Sequence, residues 1–529
     1  MAYHTILYLF LFLPAVLLAY QAVPAAKRWM VLLVSGYIFF WSFSGKLVLY
    51  LMGTTLLVHY GGIWMEHLKL QCREKIRQVP REERKTVKEQ YKKKERQVLT
   101  GAVLVLLAVL GYLKYYNFFA QNVNWLMGHW GKGTLLNVQV LVLPVGISFY
   151  TLQAIGYLAD VYWEKIPVEK HLGKLGLFLC FFPQIMEGPI SMYSQTADAL
   201  WTGDSLKEEN LAAGSMRILW GLFKKLVVAD RLYVLVKAVF SHYEGYSGVT
   251  VAAAAIAYTI QLYMEFSGCM DIVIGSGRLF GVKLPENFRQ PFASKSASEF
   301  WRRWHITLGV WFRTYVFYPV SMSAAVKKWN KFAKKRLGRY AARMGVTAAA
   351  LFPVWLCNGL WHGPRWNYIF YGMYYFVLLV LEAALEPLWS KVIQVCHIRE
   401  EALYWKLPRI LKTWVIIFVG ELFFRAEGLR IGLHMFCSMF RDFHLERLWD
   451  GSFLNFGLDR GDYAVAAAGC LAAAVVGMCR ERNLFHEAAF LRLWTPVRWA
   501  VYYALIFGVV IFGAYGIGYQ QVDLIYAGF

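Results

Sequence analysis

Residues 92–118 read KKKERQVLTGAVLVLLAVLGYLKYYNF. The first five are all charged, and the stretch 98–118 that follows carries one charge, Lys114. The hydrocarbon core of a bilayer takes about 20 apolar residues per helix. Residues 98–118 therefore read as a membrane-crossing helix whose charged end stays in water. The same kind of run recurs along the chain. The whole sequence of 529 residues is 58% apolar, 17% aromatic and 17% charged, with a mean hydropathy of +0.40. An ordinary soluble domain is nearer a quarter charged and below half apolar, and a disordered chain has few aromatics. Both classes are excluded, and the composition is that of a polytopic membrane protein.

Working outward, the segment just before this helix is the most charged in the chain. Between Lys69 and Arg96, twelve Lys or Arg stand against five Asp or Glu. Cytoplasmic loops carry an excess of Lys and Arg, so 67–97 is expected to be a basic cytoplasmic helix. A docking arm for an acidic partner or for anionic headgroups is the other reading of the same charge. The net charge of +22 has the same first explanation, and no nucleic-acid motif accompanies it. Residues 5–20 are apolar and are followed, not preceded, by Lys27-Arg28, the reverse of a cleaved signal. They predict a retained helix with its start outside; 29–43 and 46–65 then form an out-and-back pair.

Loop 119–137 holds one Lys or Arg, Lys132, as expected outside, and 138–160 returns. Residues 174–192 are apolar but broken by Phe182-Pro183-Gln184 and Glu187-Gly188-Pro189. Such backbone is tolerated at membrane depth only inside protein or beside a cavity, so a re-entrant segment is predicted. In 215–240 the charges Lys224, Lys225, Asp230 and Arg231 suggest that part of the helix lies at an interface. Further spans are expected at 249–275, 344–361, 366–386, 410–424, 463–479 and 497–517. The predicted fold is all-α, with about eleven transmembrane helices plus re-entrant or interfacial pieces, in one membrane-embedded domain over 1–529. The eight cysteines include no C-x-x-C pair and read as packing residues.

Ionisable groups inside a membrane domain are costly and point to function. They concentrate in two places. One runs from Glu286-Asn287-Phe288-Arg289 through Trp301-Arg302-Arg303-Trp304-His305 to Arg313. On a single helix Trp301, Trp304 and His305 would share a face. The other is Asn358-Gly359-Leu360-Trp361-His362-Gly363-Pro364, where an imidazole ends a long apolar run. A buried neutral His accepts a proton at pH 7, and both stretches also fit an interfacial aromatic–arginine belt. A histidine pair without a His/Cys/Asp set at zinc spacing gives no metal site. There is no G-x-S-x-G elbow, phosphate loop or dinucleotide fingerprint.

These residues carry a resemblance. PVGISFYTLQAIGYLADVYW (144–163), FFPQIMEGPI (181–190), YMEFSGCMDIVIGSGRLFGVKLPENFRQPF (263–292), SEFWRRWHITLGVWFRTYVFYPV (298–320), NGLWHG (358–363) and ELFFRAEG (421–428) resemble the membrane-bound O-acyltransferase family. The likeness is to its bacterial branch of alginate O-acetylation and D-alanyl transfer proteins, and 140–430 would be the family core. The resemblance implies a catalytic His362, a second functional His305, and a tunnel between a cytoplasmic donor entrance and an outer acceptor entrance. Arg303, Asn358, Trp361, Trp304, Glu286 and Asn287 are the candidate substrate-binding residues. The chain departs from the family at Thr314 and Glu265, where Asp is common, and no role is carried to 314.

The implied reaction moves an acyl group, with acetyl favoured by the C-terminal helices over 463–517, from a cytoplasmic thioester to a hydroxyl of an exported cell-wall or extracellular polysaccharide. D-alanylation of teichoic acid is the second reading, and a transporter or flippase the non-enzymatic one. No bound cofactor is expected. The donor would be acetyl-CoA or an acyl carrier protein on the cytoplasmic side. An outer-facing transferase or a small membrane subunit would be partners, in the cell membrane, with no nucleic acid.

Overall fold

The computed structural model describes residues 2–203, 207–484 and 490–515. Among them every regular element is helical and no strand forms. The chain divides into two compact units, Met1–Gly214 with Val273–Pro285 and Ser215–Ile272 with Glu286–Phe529.

In the first unit a π turn, Leu7–Phe12, leads into α1 (Leu13–Ala22). Val23 leaves the helix in an extended conformation, as a residue before proline must. The out-and-back pair is α2 (Arg28–Ser44) and α3 (Val48–Gln78), joined through Gly45 at φ +52°. With 31 residues, α3 is about 46 Å long and outruns a hydrocarbon core of about 30 Å, so its basic end stands in water. The expectation of one basic helix over 67–97 is corrected here. The helix breaks at Val79, extended ahead of Pro80, and α4 (Arg84–Leu110) starts afresh. The charge sits on a helical hairpin. Two of its lysines serve the fold: Lys69 and Lys92 donate to the carbonyls of Val161 (2.7 Å) and Tyr162 (2.9 Å). They satisfy the open end of α6 (Ile147–Tyr162), where cations are favoured.

Between α4 and α6 lies α5 (Tyr116–His129), and α7 (Leu172–Cys180) and α8 (Tyr193–Thr202) follow. The broken stretch after α7 is non-helical, and every residue from 181 to 191 is buried. Several of its polar groups are met within the unit. Tyr3 Oη donates to the Phe182 carbonyl (2.9 Å), Ser191 Oγ to Gln184 Oε1 (3.0 Å), and Gln184 Nε2 to the Phe178 carbonyl (3.1 Å). This is irregular backbone of the kind a membrane protein can hold only inside itself.

The unit boundaries fall within α9 (Glu208–Leu222) and α11 (Gly248–Leu279). In the second unit a π-helical turn, Phe223–Ala229, joins α9 to α10 (Asp230–Ser241). The interfacial reading of its charges is overturned, because all four are buried in protein and paired. Lys224 binds Ser267 (2.9 Å) and Asp271, Lys225 binds Asp230 (2.6 Å) and Glu265 (3.3 Å), and Arg231 binds Asp462 (2.9 Å). Around them pack Val227, Val228, Leu232, Met264 and Ala466.

The remaining helices of this unit are α12 (Ala297–Arg303), α13 (Ile306–Phe312), α14 (Tyr318–Ser321), α15 (Ala324–Arg336), α16 (Gly338–His362), α17 (Trp366–Val395), α18 (Leu403–Arg425), α19 (Leu429–Arg441), α20 (Arg460–Glu481) and α21 (Thr495–Phe512). Where α16 and α17 cross, Gly359 faces the Tyr368 carbonyl and Gly372 the Trp355 carbonyl, with no room for a Cβ on either. Small residues bring two membrane helices backbone to backbone. The C-terminal spans expected at 463–479 and 497–517 are α20 and α21; residues 516 and 517 lie outside the described residues.

By length and composition, seven helical stretches among the described residues can cross a membrane, one of which, Ala25–Gln78, contains both α2 and α3. The helical membrane class is as expected, while about eleven crossings remains a reading of the sequence. Cys72, Cys180 and Cys269 are buried packing residues, but Cys357, Cys396 and Cys437 lie at the surface.

Candidate active site

Asn287 organises the site from below. It is fully buried, its main-chain oxygen accepts from Ile306 N (2.9 Å), and its Oδ1 accepts from Thr307 N (3.1 Å). The first amides of α13 have no partner inside their own helix, and Asn287 supplies one from a separate segment. To present them the chain must break. α12 stops at Arg303, Trp304 is extended, and His305 takes a left-handed conformation at φ +44°. The expectation that Trp301, Trp304 and His305 lie on one helix face is thus corrected: the helix ends between them. A left-handed non-glycine residue costs on the order of 1–3 kcal/mol and persists where the surroundings enforce it.

The same Oδ1 lies 3.2 Å from His305 Nδ1. A carboxamide oxygen only accepts, so in this pair Nδ1 carries the proton of the neutral ring and Nε2 keeps its lone pair. Nε2 is buried and has no hydrogen-bond partner among the described residues.

His362 is the last residue of α16, and its ring stands edge-on to Phe424 (4.9 Å) and Tyr371 (5.8 Å). Trp361 separates the two imidazoles, its ring centroid 5.4 Å from His305 and 5.0 Å from His362. Tyr371 also donates to the buried Glu421 (2.9 Å), whose second oxygen has no partner among the described residues.

A cavity of about 380 Å³ opens beside this group. His305, Trp304 and Asn358 line it with the aromatic walls Trp301 and Trp355, and Arg302 and Arg313 also reach it. Two buried polar atoms in this lining, Asn358 Oδ1 and the indole nitrogen of Trp301, have no hydrogen-bond partner among the described residues. His362 and Trp361 are set behind His305 and are not part of the lining.

The structure therefore brings together His305, His362, Trp361, Trp304, Asn358 and Asn287. Two candidates stand apart. Arg303 is engaged by Glu299 and Glu481 (both 2.9 Å), and Glu286 is held by Arg217 (2.6 Å), which also binds Asp271. Sequence reasoning missed the lining role of Arg302 and Arg313, the aromatic wall, and Glu421. A lone carboxylate in VIIFVGELFF was the signal for Glu421; Arg302 differs from Arg303 only by the turn of a short helix. Thr314 removes the charge next to Arg313, and Arg313 has no carboxylate partner among the described residues. No group of three or more His, Cys, Asp or Glu is arranged for a metal among those residues.

Two polar stretches meeting at a buried histidine pair make a comparison with known proteins specific. The family model for MBOAT, the membrane-bound O-acyltransferase family, matches residues 171–418. The probable alginate O-acetylase AlgI of Pseudomonas putida is 31% identical over 440 residues, covering 83% of this chain and 80% of its own. The chain belongs to the membrane-bound O-acyltransferase family. Peptidoglycan O-acetyltransferase of Helicobacter pylori is 30% identical over 363 residues, 63% of this chain and 62% of its own. Teichoic acid D-alanyltransferase of Bacillus subtilis is 28% identical over 257 residues, 47% and 61%. As a member of the membrane-bound O-acyltransferase family, the chain is an enzyme, an O-acyltransferase of the membrane. The family match spans His305, Asn287, Asn358 and His362, and Glu421 lies just beyond it.

Proposed function

We propose that this O-acyltransferase moves an acetyl group from a cytoplasmic thioester, acetyl-CoA or an acylated carrier protein, to a hydroxyl of an exported cell-wall or extracellular polysaccharide. The observation that carries the site assignment is the array Asn287–His305–Trp361–His362 beside an aromatic cavity. The acetyl reading rests on the O-acetylating relatives, which match the larger part of the chain. Partners on the acceptor side, an outer-facing transferase or a small subunit, belong to the same reading, as does a single acyltransferase domain over 1–529.

In the reaction the acceptor oxygen attacks the acyl carbonyl while His362 takes its proton. The C–O bond forms, the C–S bond breaks, and the proton passes from His362 to the leaving thiolate. General-base catalysis of this kind is worth roughly 10²–10⁴-fold. Two roles are open to His305, orienting the donor or stabilising the oxyanion. The second role needs a proton on Nε2, and the Asn287 contact puts it on Nδ1. His305 is therefore assigned as an acceptor that holds a donor N–H or the acceptor hydroxyl in place. The Trp301 indole N–H, unpartnered among the described residues, and the two arginines that reach the lining, Arg302 and Arg313, are groups there that can donate to a carbonyl oxygen of the acyl donor.

The test is the ester content of isolated wall polymers from cells with the wild-type gene, His362→Ala or no gene, released by mild base and identified by mass. Loss of acetate in both mutants is expected. Loss of D-alanine instead would establish teichoic acid modification, the reading that the Bacillus subtilis relative favours. Unchanged esters with the protein present in the membrane would refute the assignment.

A further inference from the structure

Nothing in the acyl-transfer reading uses α15, AAVKKWNKFAKKR. It starts at Ser323, whose hydroxyl accepts from Val326 N, and ends one residue before α16 begins its crossing. Five lysines, Lys327, Lys328, Lys331, Lys334 and Lys335, occupy about a third of its circumference, and all five are exposed. The opposite side divides in two. Val326 and Ala333 are buried, and Trp329 lies against Gly345 of α16. Phe332 remains 55% exposed and Trp329 41%.

The charge here is one-signed. From residue 300 to 381 the chain has twelve Lys or Arg and no Asp or Glu. None of the five lysines has a carboxylate partner among the described residues. Arg343, a turn into α16, is the first cation after α15 to find one, Glu386 at 2.9 Å. A solvated surface helix would carry acids among its bases. A packed one would bury its aromatics.

We infer that α15 is an in-plane anchor for anionic phospholipid, with Trp329 and Phe332 set into the acyl boundary and the lysine face on the headgroup phosphates. Three observations converge on a lipid surface as the occupant. A cationic face beside exposed aromatics on one helix is the pattern of interfacial helices. The element runs straight into a span, so its carboxyl end stands at the membrane boundary. The excess of Lys and Arg next to that span matches the leaflet that carries anionic lipid. Its consequence is mechanical: α15 fixes the starting end of α16, whose far end bears Asn358, Trp361 and His362.

The test uses the full-length protein, delipidated in detergent and titrated with phosphatidylglycerol or phosphatidylcholine, with bound lipids counted by native mass spectrometry. Wild type is expected to prefer phosphatidylglycerol, and the preference should weaken with salt. Each lysine at an anionic surface is worth about fivefold in affinity, so the triple variant Lys328→Gln, Lys331→Gln, Lys335→Gln should lose at least about tenfold. These side chains are exposed and Gln is a comparable helix former, so folding is preserved. Lys85→Gln, Lys88→Gln, Lys93→Gln on the other basic hairpin is the control and should keep the tight site. Equal affinity in wild type and the α15 variant, or equal loss in both variants, overturns the assignment. So does a photo-crosslinker at position 331 that captures an acidic protein and no lipid in intact cells.

Discussion

His305 combines a strained backbone with a ring whose tautomer is set by a neighbour, and the two can be separated by mutation. Glycine enters the left-handed region freely, whereas alanine pays about 1 kcal/mol or more there. His305→Gly should therefore unfold at higher temperature than His305→Ala in the same detergent, with both inactive; equal melting would remove the strain from the account. Asn287→Ala deletes the acceptor that caps α13 and orients His305. A lost cap costs about 1 kcal/mol, so a modest fall in melting temperature is expected together with a fall in acyl transfer. Normal turnover in that variant would show that the Asn287 contact does not matter for chemistry.

At the scale of elements, the long apolar runs were legible because 20-residue apolar stretches have few alternatives. The break at 182–189 was legible through its prolines, whereas the one ahead of Pro80 was hidden by the charge run around it, and the histidine pair was legible through its motifs. What could not be read was pairing. Lys224, Lys225, Asp230 and Arg231 looked interfacial because a one-dimensional pattern does not show Ser267, Glu265, Asp271 and Asp462 arriving from other helices. Arg302 and Arg303 were indistinguishable until the helix turn sent one to the cavity and the other to Glu481. The buried cluster makes a strong prediction. Lys225→Met leaves Asp230 and Glu265 without their cation and should destabilise by roughly 3–5 kcal/mol, measured by thermal or denaturant unfolding. The helix crossing makes another: Gly359→Ala should impair folding or transfer, because its Cβ would meet the Tyr368 carbonyl, while Gly53→Ala, with open space around it, should be silent.

For the molecule as a whole, orientation follows from charge. The hairpin around Val79–Glu83 is expected in the cytoplasm, so Glu82→Cys, in a variant whose eight native cysteines are replaced, should react with a membrane-impermeant maleimide in inverted vesicles and not in intact cells with a sealed cytoplasmic membrane. Labelling from outside would reverse the topology and, with it, the side from which the thioester arrives. The α15 lysines offer an independent check of the same orientation, since they too should sit on the cytoplasmic face.

The bond from Tyr3 to the Phe182 carbonyl closes a gap of 179 residues, and this bears on how the protein is made. The irregular stretch after α7 cannot enter lipid alone with its amides unsatisfied. It must therefore meet the N-terminal segment during or after insertion. At roughly 5–20 residues per second of synthesis, that segment waits on the order of ten to forty seconds for its partner to emerge. A nascent chain stalled before residue 182 should thus hold its first helices loosely, open to insertion factors and to proteases. The stability of the first unit is then gained in one late step of translation instead of helix by helix.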